Sequence, residues 1–174
     1  TSTTIKAGHE SALMVRNSST ANLSFCTITR HKIANIQVCQ KSCINILHSS
    51  VEESEGIGLQ IREQSIVNVS NSTFAKNKLS QLFLTDRSII SMSDSVITNG
   101  QQVGLIAEKK SNCTILQSVI SHHANSGLTV LDSDFTMLNC TIEHNNGNGL
   151  LTLNNSCATV EQTYFKGNRM PHVG

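Results

Sequence analysis

The chain has 174 residues, of which 38% are hydrophobic, 14% charged and only 3% aromatic, and its formal net charge is +1. This length is typical of a single domain with a real core, and the near-neutral charge, without tryptophan or a basic stripe, argues against a nucleic-acid partner. No apolar run approaches the roughly 20 residues that span a bilayer, so we expect neither a transmembrane segment nor a membrane partner.

Apolar residues recur about every 23 positions along the chain and form four columns. In chain order, the first column contains Leu13, Ile36, Leu59, Leu82, Leu105, Leu128 and Leu150; the second contains Val15, Val38, Ile61, Leu84, Ala107, Val130 and Thr152; the third contains Leu23, Ile46, Val69, Met92, Ile115, Leu138 and Val160; the fourth contains Ile28, Val51, Phe74, Ile97, Ile120, Ile142 and Phe165. The register slips by one residue after Leu138. Four columns with the same spacing predict a solenoid of about seven coils over residues 10–169.

Within each repeat the apolar residues are spaced as in strands rather than helices. Leu59 and Ile61 are two positions apart, as are Val67 and Val69, and polar turns such as 52–55 and 145–148 separate the strands. Two apolar residues at this spacing face the same side of a strand. A leucine-rich repeat has a similar length, but its sequence pattern is missing here. The sequence therefore predicts an all-β, single-stranded right-handed parallel β-helix with two or three strands per coil.

Two further columns contain small residues. One column precedes the fourth apolar column and is predicted to lie at a tight inward-facing corner; its members are Cys26, Ser49, Ser72, Ser95, Ser118, Cys140 and Thr163. The other column immediately precedes the leucines and consists of Gly58, Gly104, Gly127 and Gly149. Glycine at that position predicts either a positive φ or a close approach of two backbones.

Charges alternate in sign from coil to coil in two turn columns. These columns are Arg30, Glu53, Lys76 and Lys32, Glu55, Lys78. Opposite charges on neighbouring coils attract each other, although exposed pairs contribute less than about 1 kcal/mol each. We interpret both columns as setting the register and the solubility of the solenoid.

Part of the sequence resembles a known family of repeats. The segments are Gly127-Leu128-x-Val130, then Leu138-x-Cys140-x-Ile142-x-x-Asn145, then Asn148-Gly149-Leu150. They resemble the parallel β-helix repeat, also called the CASH-type repeat, and the resemblance covers roughly residues 10–169. This repeat occurs in pectin- and alginate-active enzymes, in F-box substrate receptors of ubiquitin ligases and in Shc SH2-domain-binding proteins. The resemblance implies the fold, and it leaves the activity open because the repeat is shared by unrelated functions.

One column of turn residues is the best candidate for a functional site. It contains Asn17, Gln40, Glu63, Asp86, Lys109, Asp132 and Asn154. Glycoside hydrolysis requires two carboxylates, and a lyase of this fold would require an acidic calcium site beside an Arg or Lys base. The chain has only four aspartates, with no Asp-Asp pair. The candidates for catalysis are Asp86, Arg87, Lys109 and Asp132.

Three interpretations of this charged patch remain open. It is a solvated face in which Lys109 neutralises the acids on either side, a catalytic site, or a partner-binding patch. The candidate partner-binding residues are Arg62, Glu63, Asp86, Arg87, Glu108, Lys109, Lys110 and Asp132.

Two histidines, His122 and His144, share a turn column and are expected to lie about one coil apart, with His123 and Glu143 beside them. Two imidazoles and a carboxylate could bind zinc if a third good ligand were present. Because no Cys/His ligand spacing occurs, the sequence predicts no metal site and no cofactor, and the two histidines stay weak metal candidates.

Cysteines and asparagines point to different compartments. The six cysteines do not align on neighbouring coils, and only Cys39 and Cys43 are close enough in sequence to form a weak disulfide candidate. Free, buried thiols favour a reducing, intracellular compartment. However, seven N-x-S/T sequons leave secretion open; they begin at Asn17, Asn22, Asn68, Asn71, Asn112, Asn139 and Asn154.

We predict a single β-helix domain over residues 1–174 that forms part of a larger protein. The leading hypothesis is a non-catalytic protein-interaction or scaffold module that recruits a partner or substrate. The alternative is a polysaccharide-active or carbohydrate-binding β-helix, acting as a lyase or hydrolase. The end segments 1–10 and 166–174 are poor caps, so we expect flanking domains or dimerisation to cover at least one end.

Overall fold

The computed structural model describes residues 2–170, which form a right-handed parallel β-helix with three strands per coil and no helices. Sheet A contains Thr3–Gly8, Cys26–His31, Ser50–Glu52, Thr73–Ala75, Val96–Thr98, Val119–Ser121, Thr141–Glu143 and Tyr164–Lys166. Sheet B contains Leu13–Val15, Ala34–Val38, Ile57–Ile61, Leu82–Leu84, Leu105–Ala107, Leu128–Leu131 and Leu150–Leu153. Sheet C contains Thr20–Ser24, Cys43–Leu47, Ile66–Ser70, Ile89–Ser93, Asn112–Leu116, Asp134–Leu138 and Cys157–Glu161.

The apolar columns fill the interior of the tube. Phe74 pairs with Ile97 and Ile97 with Ile120, in parallel register, and all three side chains are fully buried. Burial of one such side chain stabilises a protein by about 1.5–3 kcal/mol, so one short apolar set repeated per coil is sufficient for a core. The predicted fold, the repeat length and the stacking of like residues are confirmed. No helix among residues 2–170 is long and apolar enough to cross a membrane.

The predicted position of the register slip is wrong. Ile115 pairs with Met137, whereas Leu138 lies opposite Leu116 and points outward, half-buried. The repeat is shortened in the preceding turn, where Asp132 is followed directly by the buried Ser133. Because side chains alternate between the two faces of a strand, this shift by one residue places Met137 in the core instead of Leu138.

Every corner of the coil contains residues with a left-handed backbone, and almost all of them are not glycine. The A–B corner contains one such residue per coil, among them Glu53 (φ 56°), and the C–A corner also contains one, among them Gln117 (φ 48°). The B–C corner has two in succession in most coils, such as Asp86 and Arg87 (φ 57° and 60°). These residues tolerate an unfavourable conformation because every coil repeats the same hydrogen-bonded turn.

The small columns stack as predicted. The Ser72 amide donates to the Ser95 hydroxyl at 3.1 Å, and the Ser95 amide donates to Ser118 Oγ at the same distance. The glycine column is required by close approach and not by a positive φ, since a Cβ on Gly104 would lie 2.5 Å from the carbonyl oxygen of Gly127. A second serine ladder, which the sequence pattern did not predict, runs along the start of sheet C, for example from the Ser42 amide to Ser65 Oγ at 3.2 Å.

The alternating charges form ion pairs across coils. The Arg30 Nε donates to Glu53 Oε2 at 2.7 Å, and this hydrogen bond lowers the pKa of Glu53. Lys78 pairs with Glu55 in the neighbouring column. One pair in each column therefore links consecutive coils as predicted, whereas Glu53 with Lys76 and Lys32 with Glu55 form no ion pair within 4.0 Å among residues 2–170.

All six cysteines are free, and the weak candidate disulfide between Cys39 and Cys43 does not form. Cys39, Cys113 and Cys140 are buried as expected. Cys157 is exposed, so the expectation of buried thiols is wrong there. It is the first residue of the last described strand of sheet C and lies opposite Asp134 on the outer face, so its side chain points away from the core. Of the two end segments expected to be poor caps, 1–10 contributes the strand Thr3–Gly8 to sheet A, and 166–174 includes residues 171–174, which lie outside the described part of the chain.

Candidate functional site

The charged patch lies on the B–C corner and forms a continuous ridge, which we name the B–C ridge. It consists of Gln40, Lys41, Glu63, Gln64, Asp86, Arg87, Lys109, Lys110 and Asp132. In each coil the amide of the second ridge residue donates to the carbonyl of the first ridge residue in the next coil; Arg87 N lies 3.0 Å from Lys109 O. The backbone therefore holds the ridge side chains about one strand spacing, roughly 4.8 Å, apart.

Lysines bridge the acidic residues of the ridge. Lys109 Nζ lies 3.6 Å from Asp86 Oδ1 and 3.8 Å from Glu108 Oε1, and Lys110 Nζ lies 3.9 Å from Asp132 Oδ1. The expectation that Lys109 neutralises both flanking aspartates is therefore correct for Asp86 only. The second ridge residue of the coil, Lys110, reaches Asp132 instead.

The remaining predicted patch residues lie at the edge of the ridge. Arg62 and Glu108 follow sheet B strands directly; Arg62 Nε approaches Glu63 Oε1 at 4.0 Å and is a buried donor without a hydrogen bond among the described residues. Glu108 accepts a hydrogen bond from the Thr85 hydroxyl at 3.1 Å. All eight predicted partner-binding residues thus belong to the ridge or to its sheet B border.

The ridge encloses a shallow groove of about 350 Å³ that is open to solvent. Its lining residues are Gln64, Asp86, Arg87, Lys109, Lys110 and Asp132. On the sheet B side, Phe83 and Ile106 point outward and are half-buried. The site thus combines both signs of charge with a neighbouring apolar strip on one rigid surface.

The ridge does not provide the acidic calcium site that a lyase of this fold would require. No three His, Cys, Asp or Glu side chains among residues 2–170 are grouped so that they could hold a metal ion. The ridge aspartates each lie beside an ammonium group, which competes with a cation for the carboxylate. These residues do not fit a calcium ion.

The His122 and His144 rings stack on neighbouring coils, with centroids 5.3 Å apart and planes tilted by 34°. Glu143 Oε2 lies 3.8 Å from His144 Nε2. His123, expected beside this pair, instead points inward and is buried. The pair therefore lacks the third imidazole that the sequence placed nearby.

His123 belongs to a buried polar ladder at the A–B corner. Its Nδ1 accepts from the Gly100 amide at 3.1 Å, its Nε2 contacts the carbonyl of Ile97 at 3.2 Å, and its own amide donates to Asn145 Oδ1. Burial lowers the pKa of His123 to about 4, so the ring is neutral near pH 7. Asn77 and Asn145 fill equivalent positions in other coils, which shows that this histidine is structural.

Comparisons with known proteins identify the fold of the chain. A family model described as "Right handed beta helix region" matches residues 38–171. No curated protein matches the sequence significantly. A solved structure titled "Crystal structure of pectate lyase Pel9A" is similar with a TM-score of 0.62 and 9% identity, over 92% of this chain and 51% of that chain. The likeness shows the fold alone, and this chain spans about half the length of that lyase.

Proposed function

The chain belongs to the right-handed β-helix family, and from that premise we propose that it is a non-catalytic module that recruits a protein partner through the B–C ridge. The observation that carries the proposal is the ridge itself, where stacked turns hold both signs of charge in fixed positions. Interfaces obtain specificity and fast association from such complementary charges, provided that the partner presents the opposite pattern.

The free charge on the ridge indicates what the partner must supply. Asp86 and Asp132 are each offset by a lysine, whereas Arg87 has no carboxylate within 4.0 Å among residues 2–170. A guanidinium pairs well with a carboxylate in two-point geometry. We therefore expect an acidic partner residue at Arg87, with apolar contacts to Phe83 and Ile106 at the sheet B border.

Charge exchange tests this proposal while it preserves the ion pair. The double variant Asp86→Lys/Lys109→Asp reverses the local pattern, and the matched control Arg30→Glu/Glu53→Arg reverses an exposed pair on the A–B corner. Proteins from the natural source that co-purify with the full-length wild-type chain are compared with those that co-purify with each variant. A protein that the ridge variant loses is then purified, and its binding is measured by calorimetric titration.

We expect the ridge variant to raise the Kd of that partner at least tenfold, which corresponds to about 1.4 kcal/mol, and the control to leave it unchanged. A partner that binds both variants like the wild type, or loses both equally, contradicts the proposal.

The alternative is a polysaccharide-active β-helix, which the two aspartates and the basic residues around the same groove favour. In that case Asp86, Arg87, Lys109 and Asp132 would act on the sugar chain. Activity on pectin, alginate and hyaluronan, each with and without calcium, separates the two functions. Turnover that Asp132→Asn abolishes and Asp134→Asn leaves intact would establish this alternative and refute the binding module.

A further inference from the structure

All seven sequon asparagines lie on one part of the solenoid. Asn22, Asn68 and Asn112 are on strands of sheet C, Asn17 and Asn154 are at the B–C corner, and Asn71 and Asn139 are at the C–A corner; every one of them is exposed. None of them belongs to sheet A, to sheet B or to the A–B corner. In contrast, the buried asparagines Asn35, Asn77 and Asn145 are outside sequons.

The strand geometry presents whole sequons to solvent. In Asn68-Val69-Ser70 the middle residue is buried in the core while the asparagine is exposed and the serine half-buried, and Asn112-Cys113-Thr114 repeats this arrangement. Residues two apart on a strand face the same side, so the acceptor amide and the hydroxyl of the sequon both point outward. A glycan on such an asparagine extends into solvent and displaces no core side chain.

The outer face of sheet C also has few of the charged side chains that normally keep a protein surface soluble. Its outward positions carry amides, hydroxyls and apolar groups, and Ile66 and Ile89 are 42% and 40% exposed beside Asn68 and Asn112. Its only outward charges in the last two coils are Asp134 and Glu161. N-linked glycans are bulky and solubilising, and they would cover these isoleucines.

We propose that sheet C, with the C–A corner and the two ends of the B–C corner, forms an N-glycosylated face with Asn68 and Asn112 as principal sites. The co-reactant is an oligosaccharide linked to a lipid pyrophosphate. The asparagine Nδ2 forms a bond to C1 of the sugar, the C1–O bond to the pyrophosphate breaks with its electrons leaving on the phosphate, and the amide loses one proton to the transferase.

This modification implies passage through the secretory pathway, in place of the intracellular location expected from the cysteines. Two of the three buried thiols, those of Cys113 and Cys140, are compatible with an oxidising compartment. Burial raises the pKa of Cys113 and of Cys140, so little thiolate is available for disulfide exchange. The glycans would leave most of the B–C ridge and the sheet B strip uncovered.

The decisive experiment treats the protein from its natural source with peptide N-glycosidase in H₂¹⁸O. We expect a loss of mass on gels and ¹⁸O-labelled aspartate at positions 68 and 112 in the peptides. Recovery of all seven sequon peptides unmodified overturns the proposal.

A second experiment asks whether the fold tolerates the glycans. The chain is secreted from eukaryotic cells as wild type, as Asn68→Gln, as Asn112→Gln, and as Asn45→Gln, a control in the same column that is not in a sequon. We expect each sequon variant to lose one glycan, the control to lose none, and the wild type to unfold cooperatively before and after deglycosylation. The proposal is contradicted if the glycosylated wild type is retained inside the cells, or if it shows no cooperative unfolding until its glycans are removed. This outcome does not depend on what the ridge binds.

Discussion

His123 connects the stability of the core to pH. Its neutral ring accepts a hydrogen bond from Gly100, and burial lowers its pKa to about 4, against about 6.5 when unfolded. Between these two pKa values the unfolded chain binds a proton at His123 and the folded chain does not. The stability that comes from the neutral His123 ring is therefore complete above pH 6.5 and is lost as the pH falls towards 4. The maximum loss is roughly 3 kcal/mol.

We predict that His123→Asn flattens this dependence. Asparagine fills the same ladder position in Asn77 and Asn145 and does not titrate, so the fold keeps an acceptor for the Gly100 amide. Urea unfolding at pH 7 and pH 5 measures the effect. The wild type should lose clearly more stability than the variant, and equal losses would show that His123 is not the titrating group.

The left-handed corner residues can be tested where no side-chain function intervenes. Gln117 is exposed at the C–A corner with φ 48°. Gln117→Val should lower the free energy of unfolding by about 1–2 kcal/mol, because a β-branched side chain is poorly tolerated in this conformation. Gln117→Gly should be neutral or stabilising. Denaturation of both variants checks this, and equal effects would mean that the backbone strain is absent.

At the scale of a strand, Ile97 tests the alternation of faces. Ile97→Asp places a charge between Phe74 and Ile120 and should cost several kcal/mol or prevent folding. Ser91→Asp, at an exposed outward position on the sheet C strand of the same coil, is the control and should change stability by less than about 1 kcal/mol. Thermal unfolding of both proteins is the measurement, and a tolerated Asp at position 97 would refute the column assignment.

The strand columns could be predicted from sequence because apolar residues at a spacing of two can be buried on only one face. The sequence could not predict that Met137 rather than Leu138 enters the core, because both residues are apolar. The repeat is one residue shorter in the turn at Asp132, and that shortening sets the register. The column of ridge residues could be predicted from the same 23-residue spacing. The ion pair between Lys110 and Asp132 could not, because it depends on Lys110 being a second left-handed residue in its corner. The sequence did not predict that the His123 side chain points inward, because its column contains histidine, asparagine, serine and glycine and so lacks the apolar pattern that indicates burial.

At the scale of the whole molecule, each coil is stabilised by its neighbours, and among residues 2–170 the coil of residues 150–166 pairs with another coil on one side only. Val160 is 37% exposed, although Met137 and Ile115 in the same column are fully buried. The stability of a solenoid is approximately a sum of coil and interface terms, so local opening should begin at this end.

We therefore predict that amides in residues 150–166 exchange hydrogen much faster than those in residues 82–98. Hydrogen exchange followed by mass spectrometry, at low and high protein concentration, measures the gradient along the rod. Fast exchange at both concentrations means that this end stays open in the isolated chain and that no second copy covers it. Protection that grows with concentration means that a second copy covers it, as expected for edge strands with unpaired backbone groups. Uniform protection at the lowest concentration would contradict the stepwise opening of coils.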